Sequence, residues 1–238
     1  IMDSARVHVW SLKLANIVSY FLFASSNLYA TLMGGTIGGP VETYLTPAPW
    51  LMGVSSVINL FFLGLLVYQF WPSGHKVMVN VFGWRFPALF MLNALCTALY
   101  SMETSRWFSL GAFFVLCLVA GCISNLYGAL RMEPDPATWL DFLLIHLPVS
   151  LYHGFIVVIF FVGAFAVGGV DAQLQHAGVV TKILVFVTLF FLESTAAGYV
   201  FYGNRDIAGA SMIALGLLAI AQHQQRSRFV HWSAVYVS

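Results

Sequence analysis

Seven apolar stretches, each closed off by glycine, proline or charge, leave this chain little choice of fold. They lie at about 9–32, 50–71, 85–102, 107–130, 140–168, 179–202 and 207–223 of the 238 residues. Runs of this length cross a bilayer as helices, because a segment surrounded by lipid must satisfy its own backbone hydrogen bonds. Composition agrees: 60% of residues are apolar and 8% charged, and the mean hydropathy is +0.86. A water-facing domain carries about 25% charged residues, so a separate aqueous catalytic domain is excluded. The expected fold is all-α, a polytopic membrane helix bundle of about seven transmembrane helices, with residues 1–238 forming a single transmembrane domain.

The breaks are well marked. Gly34, Gly35, Gly38, Gly39 and Pro40 follow the first run, Pro72 to Gly74 the second and Glu133 to Pro136 the fourth, and Gly203 to Asp206 joins the last two by a tight turn. No internal repeat of fixed period exists, so inverted-repeat transporter architecture has no support. The N-terminal run is too long for the core of a signal peptide and reads as the first span. Ile1 stands ahead of Met2 and the chain stops in the apolar stretch Phe229 to Val237, which leaves open whether the natural protein continues past Ser238.

Ten Lys and Arg against nine Asp and Glu give a net charge of +1, with no basic patch for a nucleic acid. Six of the ten (Arg6, Lys13, Lys76, Arg85, Arg131, Arg205) fall on the side of the N-terminus, which favours a cytoplasmic N-terminus in an integral membrane protein of no readable organelle address. Cys96, Cys117 and Cys122 all sit in apolar runs, where a thiol behaves as a small hydrophobe, and neither a disulfide framework nor a metal site is indicated.

Polar groups inside the apolar runs need partners or a purpose. Glu193 lies near the middle of the sixth run, where a carboxyl needs a proton, a cation or a strong donor. It reads either as a proton donor or ligand anchor, or as a hydrogen-bonding contact to another helix. His146 and His153 are seven residues apart and share one face of the fifth run, with Tyr152 and Asp141 nearby. That face could meet the carboxylates of a tetrapyrrole, ligate a haem iron, or tie helices together. Asn16, Asn27, Asn59, Asn93 and Asn125 are spread over the first four runs, as helix-to-helix glue or as the few polar groups of an apolar pocket. The seven tryptophans, Trp10, Trp50, Trp71, Trp84, Trp107, Trp139 and Trp232, fall at or near run ends, as an aromatic belt does.

Three segments carry a resemblance. Thr46-Pro47-Ala48-Pro49-Trp50-Leu51-Met52-Gly53-Val54, Leu92-Asn93-Ala94-Leu95 followed by Tyr100, and His146-Leu147-Pro148 through Tyr152 and Gly154 to Ala166 occur in that order. Together they resemble the second, third and fifth helices of the TspO/MBR family, the tryptophan-rich sensory or peripheral benzodiazepine receptor-like proteins. The resemblance covers residues 9–168, with 179–223 as two additional C-terminal helices of a longer branch. Met52 stands where the family has a Phe, Cys96 where it has a Trp, and Ser55 and Asn59 fall near expected aromatics.

What the resemblance implies is a five-helix bundle with a cavity for a hydrophobic ligand of the tetrapyrrole or sterol class. The loop between the first two helices would form a lid carrying Glu42, Tyr44, Pro47 and Pro49, and homodimers are common in such proteins. Trp50, Asn59, Asn93, Trp139, His146, Tyr152 and His153 are then the expected ligand-binding residues. No tightly bound cofactor or metal is expected, although porphyrin or haem could be the ligand. Two readings of other classes stand beside this receptor or carrier. One is an intramembrane cyclase or isomerase using Glu193 as its acid, with aromatic faces stabilising a carbocation. The other is an accessory subunit of a membrane complex, packed through Gly209, Ala210, Ser211, Ala214 and Gly216.

Overall fold

The structure is a computed structural model, and it describes residues 2–32, 42–102, 106–168, 172, 178–202, 205–224 and 234. Among the described residues eight helices follow one another: α1 (Met2–Leu32), α2 (Leu51–Tyr68), α3 (Pro72–Phe82), α4 (Arg85–Ser101), α5 (Arg106–Arg131), α6 (Trp139–Gly168), α7 (Val179–Phe201) and α8 (Ile207–His223). Every apolar run is helical. Among the described residues, parts of α1 and α5, with the whole of α2, α6 and α7, make five segments long and apolar enough to cross a membrane. The helices α4 and α8 have 17 residues each, and α4 would form a sixth span together with α3, to which it is bent by 74°.

The α3 helix stands where the sequence suggested only a break. Pro72 opens it at the first position, where the missing N–H matters least, and its second half, Val77–Phe82, widens into a π turn. Gly83, at φ 51°, then turns the chain into α4, a conformation that a side chain would disfavour. A second π turn, Phe142–His146 in α6, ends two residues before Pro148. Proline offers no N–H to the preceding turn and crowds its carbonyl, and local widening of the helix accommodates both. Thr138 caps the start of α6 reciprocally with Asp141: each side chain accepts from the other's backbone N–H, at 3.2 and 3.1 Å.

Two apolar centres hold the bundle. The first is aromatic: Phe62 of α2 meets Phe90 of α4 and Tyr152 of α6 edge-on, both at 5.3 Å, with Phe23 of α1 against Phe90 at 5.1 Å. The second joins α6, α7 and α8 through Val158, Val162, Leu189, Ile213 and Leu217, with Tyr44 and Leu45 of the α1–α2 loop packed against it. Gly209 and Gly216 of α8 serve this internal contact, whereas Ser211 is exposed. A Cβ on Gly154 would lie 2.6 Å from the Gly209 carbonyl oxygen, and one on Gly216 2.6 Å from a Val158 methyl. Much of α7 faces outward, with Phe186, Phe190 and Phe191 exposed, as suits a helix in lipid.

The bundle has two distinct ends. At one, the start of α1 meets the start of α4 through Trp84 and His8, and the end of α5 meets the start of α8 through Arg131 and Asp206. At the other, the α1–α2 loop meets the end of α8: Trp50 Nε1 donates to Gln222 Oε1 at 2.7 Å, and Gln224 Nε2 donates to the Thr43 carbonyl at 2.9 Å.

Candidate functional site

A cavity of about 280 Å³ opens at the first of these ends, between α5, α6 and the start of α8. Leu130, Phe142, Leu147 and Ile207 form apolar wall, whereas Arg131, Glu133, Asp135, His146, Arg205 and Asp206 bring charge or titratable groups to it. An apolar pocket with a few convergent polar groups is the usual form of a small-molecule site.

Its floor is built on Asp206. This residue is the N-cap of α8, accepting from the Gly209 N–H at 3.1 Å. Its Oδ2 also accepts from the Tyr127 hydroxyl at 2.7 Å and from Ser150, and lies 3.2 Å from the Arg131 guanidinium. Burial alone would raise the carboxyl pKa. Donation by Ser150, Tyr127, the Gly209 amide and Arg131 outweighs it and holds Asp206 below the usual carboxylate range. Arg131 also sits 4.8 Å above the Tyr127 ring. One carboxylate thereby ties α5, α6 and α8 together.

Deeper in the bundle, the Tyr127 ring stacks on His153 at 4.4 Å. The two ring nitrogens of His153 contact Ser124 of α5, at 2.9 Å, and the Tyr199 hydroxyl of α7. Aromatic stacking and hydrogen bonding together make His153 the joint of three helices, adjoining the floor of the cavity.

The residues expected from the sequence fall in three places. His146 lines the cavity and His153 adjoins it. Asn93 and Tyr152 meet in the aromatic core: the Tyr152 hydroxyl donates to Asn93 Oδ1 at 2.5 Å, and Asn93 Nδ2 donates to the Leu89 carbonyl at 2.8 Å. Nearby, the backbone carbonyl of Asn59 accepts from Tyr20 at 2.8 Å. Trp50, Glu42, Tyr44, Pro47 and Pro49 belong to the opposite end. There Glu42 pairs with His223 at 3.0 Å, and Tyr44 and Pro47 are buried while Pro49 is exposed. Gly34 to Pro40 of the expected lid lie outside the described residues.

Trp139 is 71% exposed on the outer face of α6 at the cavity's end of the bundle. Glu193 is half-buried on α7, close to the outward-facing Phe190 and Phe191 and six residues ahead of Tyr199. The sequence reading missed Asp206, Arg205, Arg131 and Tyr127 as site residues. One signal was present for Asp206, an Asp directly before an apolar helix, and that signal speaks of capping rather than of a site.

The same cavity-forming helices, α5, α6 and α8, fall within a single family match. A family model described as TSPO-like protein covers residues 10–238. The chain belongs to the TSPO-like protein family. The match takes in α7 and α8, which lay beyond the resemblance read from residues 9–168, so the family region includes the whole described bundle from Trp10 onward. No curated protein and no solved structure matches the chain. Family membership and the apolar helices together make this an integral membrane protein of ligand-binding type, with the lipid bilayer as its surroundings.

Proposed function

We propose that the protein is a membrane receptor or carrier for a hydrophobic ligand, and that the cavity between α5, α6 and α8 is where that ligand is taken up. The observation that carries this reading is the cavity itself: apolar wall from Leu130, Phe142, Leu147 and Ile207 beside a small set of fixed polar groups centred on Asp206. Three neutral donors and the Arg131 guanidinium hold the Asp206 carboxylate in place, which gives the cavity a fixed floor. Membership of the TSPO-like family and the resemblance described above support tetrapyrroles or sterols as the classes to test first. In this reading the loop of residues 42–50 closes the far end of the bundle and does not cover this cavity.

The test is a titration of detergent-purified protein with a dicarboxylic porphyrin and, separately, with a sterol, followed by tryptophan quenching. Ala208 lines the cavity, and Ala208→Phe would fill part of it. Saturable binding that weakens by about tenfold or more in Ala208→Phe is the expected result, corresponding to about 1.4 kcal/mol. Absence of saturable binding by either ligand, or binding indifferent to Ala208→Phe, rejects the reading.

A further inference from the structure

We propose that the cavity between α5, α6 and α8 receives the headgroup of a zwitterionic phospholipid, its phosphate on Arg205 and Arg131 and its ammonium group beside Asp135 and Glu133. This rests on the cavity being a ligand site and specifies the ligand's polar end.

The argument starts from which charges around the cavity are already satisfied. Asp206 accepts from Gly209, Tyr127 and Ser150 and pairs with Arg131, so it has little left to offer a cation. Arg131 spends one Nη on Asp206 and lays its guanidinium over Tyr127, but a guanidinium carries five N–H donors. Glu133 has Lys76 at 3.5 Å, through a Lys side chain 64% exposed, a pairing of little strength. Among the described residues no ion pair reaches Arg205 or Asp135. An entering molecule thus meets unspent charge of both signs.

That mixture selects among ligands. A molecule with no charge or with one sign only can occupy the apolar wall, but it leaves part of this charged set to the water, since Arg205 and Asp135 are exposed. A molecule with a phosphate and an ammonium group a few bonds apart answers both. Arginine suits the phosphate, because its planar fork presents paired N–H donors to two oxygens.

The position in the fold fits the same occupant. Trp71, Trp84 and Trp139 are exposed at this end of the bundle, the level at which tryptophans mark the boundary between hydrocarbon and headgroups. Phe142 and Ile207 line the cavity and are 48% and 67% exposed, so its apolar side is continuous with the outer surface. A lipid could place its headgroup in the cavity and leave its chains in the bilayer.

The test uses protein purified in a maltoside detergent, with native mass spectrometry counting bound molecules. The probes are dihexanoyl phosphatidylcholine, dihexanoyl phosphatidic acid, dihexanoylglycerol and free phosphocholine. Arg205 and Asp135 are both exposed, so Arg205→Gln and Asp135→Asn should leave the fold intact. Phosphatidylcholine is expected to bind saturably and more tightly than dihexanoylglycerol or free phosphocholine. Arg205→Gln should weaken both phospholipids about three- to tenfold, the range for one partly exposed charge contact. Asp135→Asn should weaken phosphatidylcholine but not phosphatidic acid, a pattern that general loss of structure would not produce. Dihexanoylglycerol or free phosphocholine binding as tightly as phosphatidylcholine overturns the proposal, as does phosphatidylcholine binding that neither variant alters. If porphyrin or sterol binds and is blocked by Ala208→Phe while phosphatidylcholine does not bind, the zwitterion falls and the receptor reading stands. Phosphatidylcholine binding with the expected variant pattern, but without porphyrin or sterol binding, supports the zwitterion as the cavity's occupant and rejects the porphyrin or sterol receptor reading.

Discussion

Replacing Asp206 by Asn keeps its shape and removes its charge, which makes it the sharpest probe of how this end of the bundle is held. The wild-type carboxylate caps α8, accepts from Tyr127 and Ser150, and lies 3.2 Å from Arg131. An exposed ion pair contributes under about 1 kcal/mol, whereas breaking a buried one from one side costs about 3–5. The two side chains are 24% and 9% exposed, between those limits, so Asp206→Asn should destabilise the fold by about 2 kcal/mol. That is a factor of about 30 in the folding equilibrium. Asp206→Ala also loses the helix cap, a further cost of about 1 kcal/mol.

The assay is unfolding by increasing sodium dodecyl sulfate in mixed micelles, read by tryptophan fluorescence at several pH values. The sign of the pH effect follows from the direction of the shift. Asp206 is held below the usual carboxylate range in the folded protein, so its contribution is complete above the unfolded pKa and disappears as pH falls through the folded one. The gap between wild type and Asp206→Asn should therefore be constant down to about pH 4 and narrow below it. An unchanged midpoint at neutral pH would refute the reasoning. So would a gap as wide at about pH 2 as at pH 7.

Two further substitutions probe the packing that sets the site in place. Gly154→Ala would put a methyl 2.6 Å from the Gly209 carbonyl oxygen and 3.1 Å from the Met212 Cβ. Backbone cannot swing aside there, so α6 and α8 must separate, at about 1–3 kcal/mol, and a wild-type melting temperature would show that the contact is looser than described. Gln224→Ala removes the donor that serves the carbonyls of Thr43 and Thr46, at 2.9 and 3.3 Å, and leaves both without it. Protease cleavage within residues 42–50 should accelerate, by an amount matching about 1–3 kcal/mol of local destabilisation, and an unaltered cleavage rate would mean that α8 does not hold this loop.

Much of the helical framework was legible because lipid leaves a chain so few options. A long apolar run must close its own hydrogen bonds, so the seven runs became helices, and Pro72, Thr138 and Asp206 stand at starts that local chemistry marks. The apolar sequence even showed the small residues of α8, although only the packed bundle shows that Gly209 and Gly216 meet α6. The α3 helix was not legible: Pro72 to Gly74 read only as a break, whereas the chain forms a short helix there and bends by 74° into α4 beyond Gly83, with Phe82 and Phe86 stacked at 5.7 Å across the turn.

The site divides along the same line. His146 and His153 could be placed on one helix face from their spacing, since helical periodicity is a property of the local chain. Which partners that face would meet was not in the spacing. Tyr127, Ser150 and Asp206 are separated by 23 and 56 residues, and they converge only because α5, α6 and α8 pack at one end of the bundle. Asn93 and Tyr152, expected to face a ligand, found each other in the aromatic core. Secondary structure in a membrane follows from each segment's own backbone and hydropathy, so the sequence by itself determined the helices and the bilayer as their solvent. Long-range convergence is set by side-chain packing among helices distant in the chain, and only the tertiary structure decided that Asp206, Arg131 and Arg205 would share a cavity.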